Sequence, residues 1–262
     1  MRKEFDRAYL TANGTVAVLT MNHPDVLNAA SARMVRGMIA ALDEIEKKEN
    51  GFRALILTGE GRAFCSGANL AEPAEGSGGA AAMLEGIFHP LLRRLRDLPI
   101  PLVTAVNGSA AGLGMSLALM GDLVMAARSA YFLQAFARIG LVPDGGSTWL
   151  LPRRIGLARA KELSMLAEKL PAQRAWEWGL INRVCDDQSL ADEALALAAR
   201  LASGPTVALG LIRKLYRESP ENSFEQQLAL EAAAQDSAAS TEDFREGLRA
   251  FHGKRPTEFK GR

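Results

Sequence analysis

Residues Pro101–Asp122 read PLVTAVNGSAAGLGMSLALMGD, and three kinds of sequence follow one another within them. Pro101 to Val106 is an unbroken apolar run of strand length, the composition of a strand covered on both faces. Asn107-Gly108 interrupts it as a turn pair does. Ser109 to Gly114 is nearly all small residues, and Met115 to Met120 starts a buried helix. A strand, a small-residue turn and a helix in this order leave backbone N–H groups without partners at the helix N-terminus. Gly and Ala there let a ligand approach the main chain. Such a place favours negative charge, either a standing anion or an oxyanion formed during reaction. An ordinary tight strand–helix connection in an α/β protein has the same appearance. The stretch is not a P-loop, because G-x-x-x-x-G-K-[ST] is absent, and Gly108, Gly112 and Gly114 miss the register of G-x-G-x-x-G.

Upstream, Phe5–Leu10 and Val16–Met21 read as a hairpin around Asn13-Gly14. Ser31 is placed to N-cap a helix running to about Lys48, with Met34, Met38, Ala41, Leu42 and Ile45 at helical spacing. Ala54–Thr58 is a short buried strand. The glycine-rich run after it, GEGRAFCSGANLAE over Gly59–Glu72, bends easily and carries Cys65. No basic cluster adjoins that thiol in sequence, so it reads as a small buried structural group rather than a nucleophile. Residues 72–86 are small and weakly periodic, which suggests a loop, with a lid as its functional reading. Ile87–Leu98 reads as a helix whose Arg93, Arg94 and Arg96 form a solvated face. His89 near its start reads as a packed or capping residue.

Downstream, Leu123–Ala127 and Ala130–Gln134 read as strands. In the following LVPDGG, Asp144 stands between a proline and two glycines. That is turn or N-cap chemistry. Its functional reading is a carboxylate held on a tight turn in an apolar setting supplied by Leu141, Val142, Trp149 and Leu150, hence a usable general base. The remainder is mostly helical: Ala158–Ala167, Pro171–Trp178, Leu190–Ala202, Val207–Arg217 and one long helix from Ser223 to Ala250, with a short strand at Leu180–Cys185. A basic tail, Phe251–Arg262, follows. No internal repeat is visible.

Composition excludes several classes. The chain has 262 residues, 31 Lys and Arg against 30 Asp and Glu, and a formal net charge of +1. Bulk charge therefore gives no reason to expect a nucleic-acid or anionic-membrane partner. Two cysteines make neither a disulfide framework nor a metal spacing, and a reducing, cytoplasmic compartment is the default expectation. No apolar run approaches membrane-spanning length, and the N-terminal residues resemble no targeting segment.

The motifs GRAFCSGANL, AVNGSAAGLGMSLALMGD and LVPDGGSTWLLPRRIG, in that order, resemble the crotonase family, also called the enoyl-CoA hydratase/isomerase superfamily. AWEWGLINRVCDD and FREGLRAFHGKRPTEFKG are most similar to its ring-1,2-epoxyphenylacetyl-CoA isomerase branch. The resemblance covers nearly the whole chain. It implies an α/β fold, a ClpP-like spiral of β-β-α units over residues 1–200, with a C-terminal helical trimerisation region over 201–262. It implies acyl-CoA thioesters as substrates, assembly as a homotrimer or hexamer, and no cofactor beyond the CoA of the substrate itself. The family's oxyanion hole maps onto the N–H groups of Ala68 and Leu113. CoA is expected against Val26, Leu27 and the backbone of Ala63, Phe64, Ser66, Gly67 and Leu70, with Gly112 and Phe136 beside the thioester. Phe251 and Lys254 are expected to reach the CoA phosphates of a neighbouring subunit. The two glutamates that handle water in the family's hydratases map onto Ser116 and Phe136, neither of which is a base, so the resemblance speaks against ordinary hydration. Asp144 falls where related isomerases and aryl-CoA dehalogenases carry a carboxylate, and His89 falls near the dehalogenase histidine. An isomerase is the reading these residues favour. A dehalogenase-like enzyme, a hydratase and a non-catalytic acyl-CoA-binding scaffold remain open on sequence alone.

Overall fold

Alternation between long buried strands and short ones organises the molecule. The computed structural model describes residues 2–72 and 79–262. Its strands are β1 (Arg2–Phe5), β2 (Ala8–Asn13), β3 (Val16–Met21), β4 (Ala54–Gly59), β5 (Ala63–Cys65), β6 (Leu102–Val106), β7 (Ser109–Ala111), β8 (Leu123–Ala127), β9 (Tyr131–Leu133), β10 (Leu170–Pro171) and β11 (Arg183–Cys185). Seven of them form one sheet in the order β1-β2-β3-β4-β6-β8-β11, and four form a second in the order β10-β9-β7-β5. From β3 to β11 every pairing in the first sheet is parallel, and β5, β7 and β9 are parallel in the second. Three successive turns of chain, β4-β5, β6-β7 and β8-β9, thus each give one strand to each sheet before passing into helical structure. This is a spiral of β-β-α turns. The repeat is structural and leaves no repeated sequence, because the strands of the second sheet span only a few residues and the helical parts differ in length.

The helices are α1 (Ala32–Ile45), α2 (Gly79–Met83), α3 (His89–Asp97), α4 (Leu113–Ala118), α5 (Ser147–Leu166), α6 (Ala172–Glu177), α7 (Leu190–Ala202), α8 (Thr206–Glu218), α9 (Phe224–Ala239) and α10 (Glu242–Gly253). The Ser31 hydroxyl caps α1 by accepting the Met34 N–H at 3.3 Å. α7 lies on β3, β4, β6 and β8, and the second sheet and α4 face the first sheet elsewhere. Ala194, Ala198 and Ala202 are the buried stripe of α7; small side chains at this spacing bring its axis close to the sheet. β4 and β6 are consequently apolar and buried nearly end to end.

Several expectations are corrected. Phe5–Leu10 is not one strand: Arg7 takes a positive φ of 53° and turns the chain between β1 and β2. The helix expected to reach Lys48 stops at Ile45. Within 72–86 the chain is helical from Gly79, as α2 and a π-helical turn over Leu84–Phe88 leading into α3; the rest of the expected lid, 73–78, lies outside the described residues. Ahead of the helix expected from Ala158 the chain is already helical from Ser147, and the two segments are separated at Gly156, whose φ of 78° and ψ of 159° are not helical. The single helix expected over Ser223–Ala250 is two, because the Thr241 hydroxyl accepts the Phe244 N–H at 3.1 Å and starts α10 afresh. The basic tail is anchored through its main chain. Asp243, itself buried, accepts the N–H groups of Lys260 at 2.6 Å and Gly261 at 2.8 Å. The Arg53 guanidinium holds the Phe259 and Gly204 carbonyls. No single helix among the described residues is long and apolar enough to cross a membrane.

Candidate active site

Two glycine turns meet where neighbouring strands of the second sheet, β5 and β7, end. The first follows β5. Ala30 N–H donates to the Gly67 carbonyl at 2.7 Å and the Ala30 carbonyl accepts Asn69 N–H at 2.9 Å. This two-sided clasp holds Gly67-Ala68-Asn69 and leaves the Ala68 N–H pointing elsewhere. Arg7 reinforces it from outside by pairing with Glu72, which also accepts from Asn69 at 3.1 Å. The second turn joins β7 to α4. Gly112 has φ 51° and ψ −124°, a region essentially closed to residues with a Cβ. A Cβ placed there would stand 3.9 Å from the Gly67 Cα and 3.6 Å from Cζ of Phe136. The Gly67 and Gly112 turns are therefore neighbours, and the buried Phe136 ring lies against them. The helix begins at Leu113, two residues before the position read from sequence, so Leu113 supplies its first N–H. Among the described residues the N–H groups of Ala68 and Leu113 take no part in a hydrogen bond. Two unpaired donors on facing turns are what an oxyanion hole requires. Gly114 seats the helix, since any Cβ there would collide with the Cys65 carbonyl oxygen. Cys65 itself is wholly buried, and burial pushes its thiol up to about 11, so it serves as packing and not as a nucleophile.

The Asp144 turn packs on the same helix. A Cβ on Gly145 would stand 2.8 Å from the Ser116 side chain and 3.0 Å from Cδ1 of Leu113. The Asp144 carbonyl accepts the Ser147 N–H at 3.0 Å and the Ser116 hydroxyl at 3.1 Å. Its carboxylate does not cap α5, because the N-cap is Gly146 and no side chain closes the helix start. Oδ1 of Asp144 is buried with no hydrogen-bond partner. Burial raises the pKa of this carboxyl above the ordinary carboxylate range, and His89 opposes part of that rise. The apolar surroundings do not come from Leu141 and Val142, which are exposed; the turn leans on α4 instead. His89, read from sequence as packed or capping, shares with Gly145 and Gly146 the wall of a cavity of about 1160 Å³. Trp149, Arg153 and Tyr216 also line it, while Ala68 and Leu113 do not.

The family model described as enoyl-CoA hydratase/isomerase matches residues 11–262. The chain belongs to the enoyl-CoA hydratase/isomerase family. It is 44% identical over 251 residues to the 1,2-epoxyphenylacetyl-CoA isomerase of Escherichia coli K12, with 94% of this chain and 95% of the relative covered. It is also 44% identical over 247 residues to a probable enoyl-CoA hydratase of Rhodobacter capsulatus, again with 94% and 95% covered. The crystal structure of an enoyl-CoA hydratase from Bacillus anthracis superposes with a TM-score of 0.92 at 30% identity, covering 98% of this chain and 100% of that one. The spiral with C-terminal helices is thus the fold of the family, and an enzyme acting on acyl-CoA thioesters is what membership means for this chain.

Of the residues that the enoyl-CoA hydratase/isomerase resemblance assigned to the site, the structure gathers most in one place. Ala68, Gly67, Gly112, Leu113, Phe136 and the Asp144 turn are linked by the contacts above. Val26 and Leu27 lie alongside, because Ser66 N–H donates to the Leu27 carbonyl at 3.0 Å and the Ser66 hydroxyl to that of Val26 at 3.2 Å. Leu70 is exposed beyond them. Ala63 and Phe64 are corrections: both are buried in β5, and the Ala63 carbonyl is taken by Asn28 Nδ2 at 2.8 Å, so they support the turn from behind and offer no surface to a ligand. Phe251 and Lys254 end α10, and among the described residues no hydrogen bond or ion pair joins either of them to this group. Ser147, Gln134 and Asn28 were missed by sequence reading. The available signal was polar residues inside otherwise buried runs.

Proposed function

We propose that this chain is an acyl-CoA isomerase in which Asp144 carries a proton between two carbons of the acyl group. The observation that carries the reading is the Asp144 carboxylate: half-buried, with Oδ1 buried and unpartnered, on a turn packed against the helix that presents the Leu113 N–H. A carboxylate with raised proton affinity takes up and returns a proton more readily than an ordinary one. The N–H groups of Ala68 and Leu113 would hold the thioester oxygen as negative charge develops on it during enolate formation. Taking a proton from one carbon and returning it to another shifts a double bond, and the same enolate stabilisation suits rearrangement of a ring epoxide beside the thioester, the chemistry named by the Escherichia coli relative. Such a shuttle calls for no redox or metal cofactor. Ser116 and Phe136 at the hydratase glutamate positions support isomerisation over hydration, so crotonyl-CoA should be hydrated slowly if at all.

The placement of His89 near the Asp144 turn favours one second reading. In a dehalogenase-like reaction Asp144 would attack a halogen-bearing aromatic carbon and expel halide, and water activated by His89 would then hydrolyse the aryl ester. Halide release from a 4-halobenzoyl-CoA separates the two. We further propose a homotrimeric or hexameric assembly in which the exposed apolar residues of α8–α10 meet a neighbouring subunit, with Phe251 and Lys254 reaching its CoA phosphates.

The test is Asp144→Asn, assayed with 3-enoyl-, 2-enoyl- and ring-epoxide phenylacetyl-CoA thioesters. Loss of a general base costs about 10²–10⁴ in rate, so the variant should retain acyl-CoA affinity and lose nearly all isomerisation and solvent-deuterium exchange. Isomerisation at the parent rate would reduce Asp144 to a turn residue.

A further inference from the structure

Behind the Asp144 turn lie three polar side chains, Ser116, Gln134 and Ser147, all with no measurable exposure. Their contacts can be given directions from donor and acceptor chemistry. The Asp144 carbonyl can only accept, so Ser116 must donate its single hydroxyl proton there, at 3.1 Å. The 2.7 Å contact between Ser116 Oγ and Ser147 Oγ must then run from Ser147 to Ser116. Having given its proton, Ser147 can only accept from Gln134 Nε2, at 3.2 Å. The second Nε2 proton of Gln134 faces the Met115 sulfur at 3.2 Å, a weak acceptor, which orients the amide. The chain of donation is therefore one-way, from Gln134 through Ser147 and Ser116 to the Asp144 carbonyl. It leaves Oε1 of Gln134 buried without a partner, a cost the fold carries to keep the chain in this direction.

We propose that Gln134, Ser147 and Ser116 are positioning residues for Asp144, a one-way hydrogen-bond chain that fixes the turn and thereby the depth and aim of its carboxylate. The proposal rests on the reading of Asp144 as the proton carrier. The position occupied by a water-handling glutamate in the family's hydratases is on this view refitted as a strut. Three features make the strut effective. Ser116 sits on α4, one helical turn from Leu113, so the donor to the thioester oxygen and the support of the base share a rigid element. Gly145 leaves no gap between the turn and Ser116. Ser147 fastens the carbonyl a second time through its own N–H, at 3.0 Å. Misplacing a reacting group by an ångström can cost about a hundredfold in rate.

The experiment compares Ser116→Ala, Ser147→Ala, Asp144→Asn and the double variant Ser116→Ala/Asp144→Asn, each checked for folding by circular dichroism. The readouts are isomerisation of trans-3-hexenoyl-CoA and its solvent-deuterium exchange, as functions of pH. Each serine variant should lose about ten- to a hundredfold in kcat with KM nearly unchanged. The acid limb of kcat/KM should also fall toward the ordinary carboxylate range, because a loosened turn admits water to the carboxylate. His89 of α3 is the ionisable group that bears on Asp144, and Arg93, Arg153 and Glu221 line the adjoining cavity; all are unaltered in these variants. In the Asp144→Asn background, Ser116→Ala should change the residual exchange by less than about twofold, because a positioning residue acts only through the group it positions. An equal loss in both backgrounds, or a serine variant with parent kcat and an unmoved acid limb, overturns the positioning role and leaves Asp144 as the base. Exchange at the parent rate in Asp144→Asn, or none in the parent protein, overturns the underlying reading and this one with it.

Discussion

At the scale of single residues, Asp144 has a consequence for stability that runs opposite to that of most carboxylates. Its proton affinity is raised in the folded protein by burial. The native state therefore binds the proton more tightly than the unfolded state, and stability falls as pH rises from the ordinary carboxylate range through the raised value. At neutral pH the ionised group is a burden on the fold. Asp144→Asn should accordingly raise the melting temperature at pH 7, and the difference should vanish in acid, where the Asp144 carboxyl of the parent is protonated in both the folded and the unfolded state. A variant no more stable than the parent at pH 7 would mean that the carboxylate is not desolvated. Legibility was uneven at this scale. Asp144 stood out in sequence because proline and glycines fix its backbone. Ser116 was legible only as a missing glutamate, since a serine has no signature until its partners, Ser147 and Gln134, are brought to it from other segments. Ala63 and Phe64 were assigned to the ligand because they lie within the motif, whereas β5 is buried along its whole length.

Among elements, α4 shows how a short helix can be placed by contact with a strand. Six residues form too few hydrogen bonds to hold a helix alone; it is seated because Gly114 lets its backbone touch the Cys65 carbonyl. Gly114→Ala would force α4 away from β5 and move the Leu113 N–H with it. Overpacking of this kind costs about 1–3 kcal/mol, and removal of one oxyanion donor about 10²–10³ in rate, so the variant should melt at a lower temperature and lose activity even where it remains folded. A fully active Gly114→Ala enzyme would contradict the seating. Long elements with a clear period were readable from sequence, α7 to the residue and α1 from its cap at Ser31, though not to its end at Ile45. The breaks were not. Thr241 interrupts a stretch whose composition favours helix throughout, and only its cap reveals the joint; at Gly156 it was the helical segment ahead of the break, 147–155, that went unread. β7 was invisible because three small residues carry no alternation that could mark a strand.

For the whole molecule, exposed apolar residues recur along the C-terminal helices. Phe224 and Phe251 are 74% and 79% exposed, with Tyr216, Leu228, Phe244 and Leu248 also open to solvent. Large apolar surfaces of this kind mark contacts between subunits, and sedimentation at micromolar concentration should return a trimer or a multiple of it. A monomer would remove the proposed route by which Phe251 and Lys254 reach CoA. The order of strands carries a different consequence. A spiral whose turns each touch only the next behaves as a short stack, in which opening begins at the ends and spreads inward. The first turn, β4-β5, and the third, β8-β9, flank the second, β6-β7, in both sheets. The stretch Pro101–Asp122 forms that middle turn. Its amides should be among the slowest in the protein to exchange with solvent, so the donor at Leu113 and the strut at Ser116 are carried on the part of the molecule that opens last.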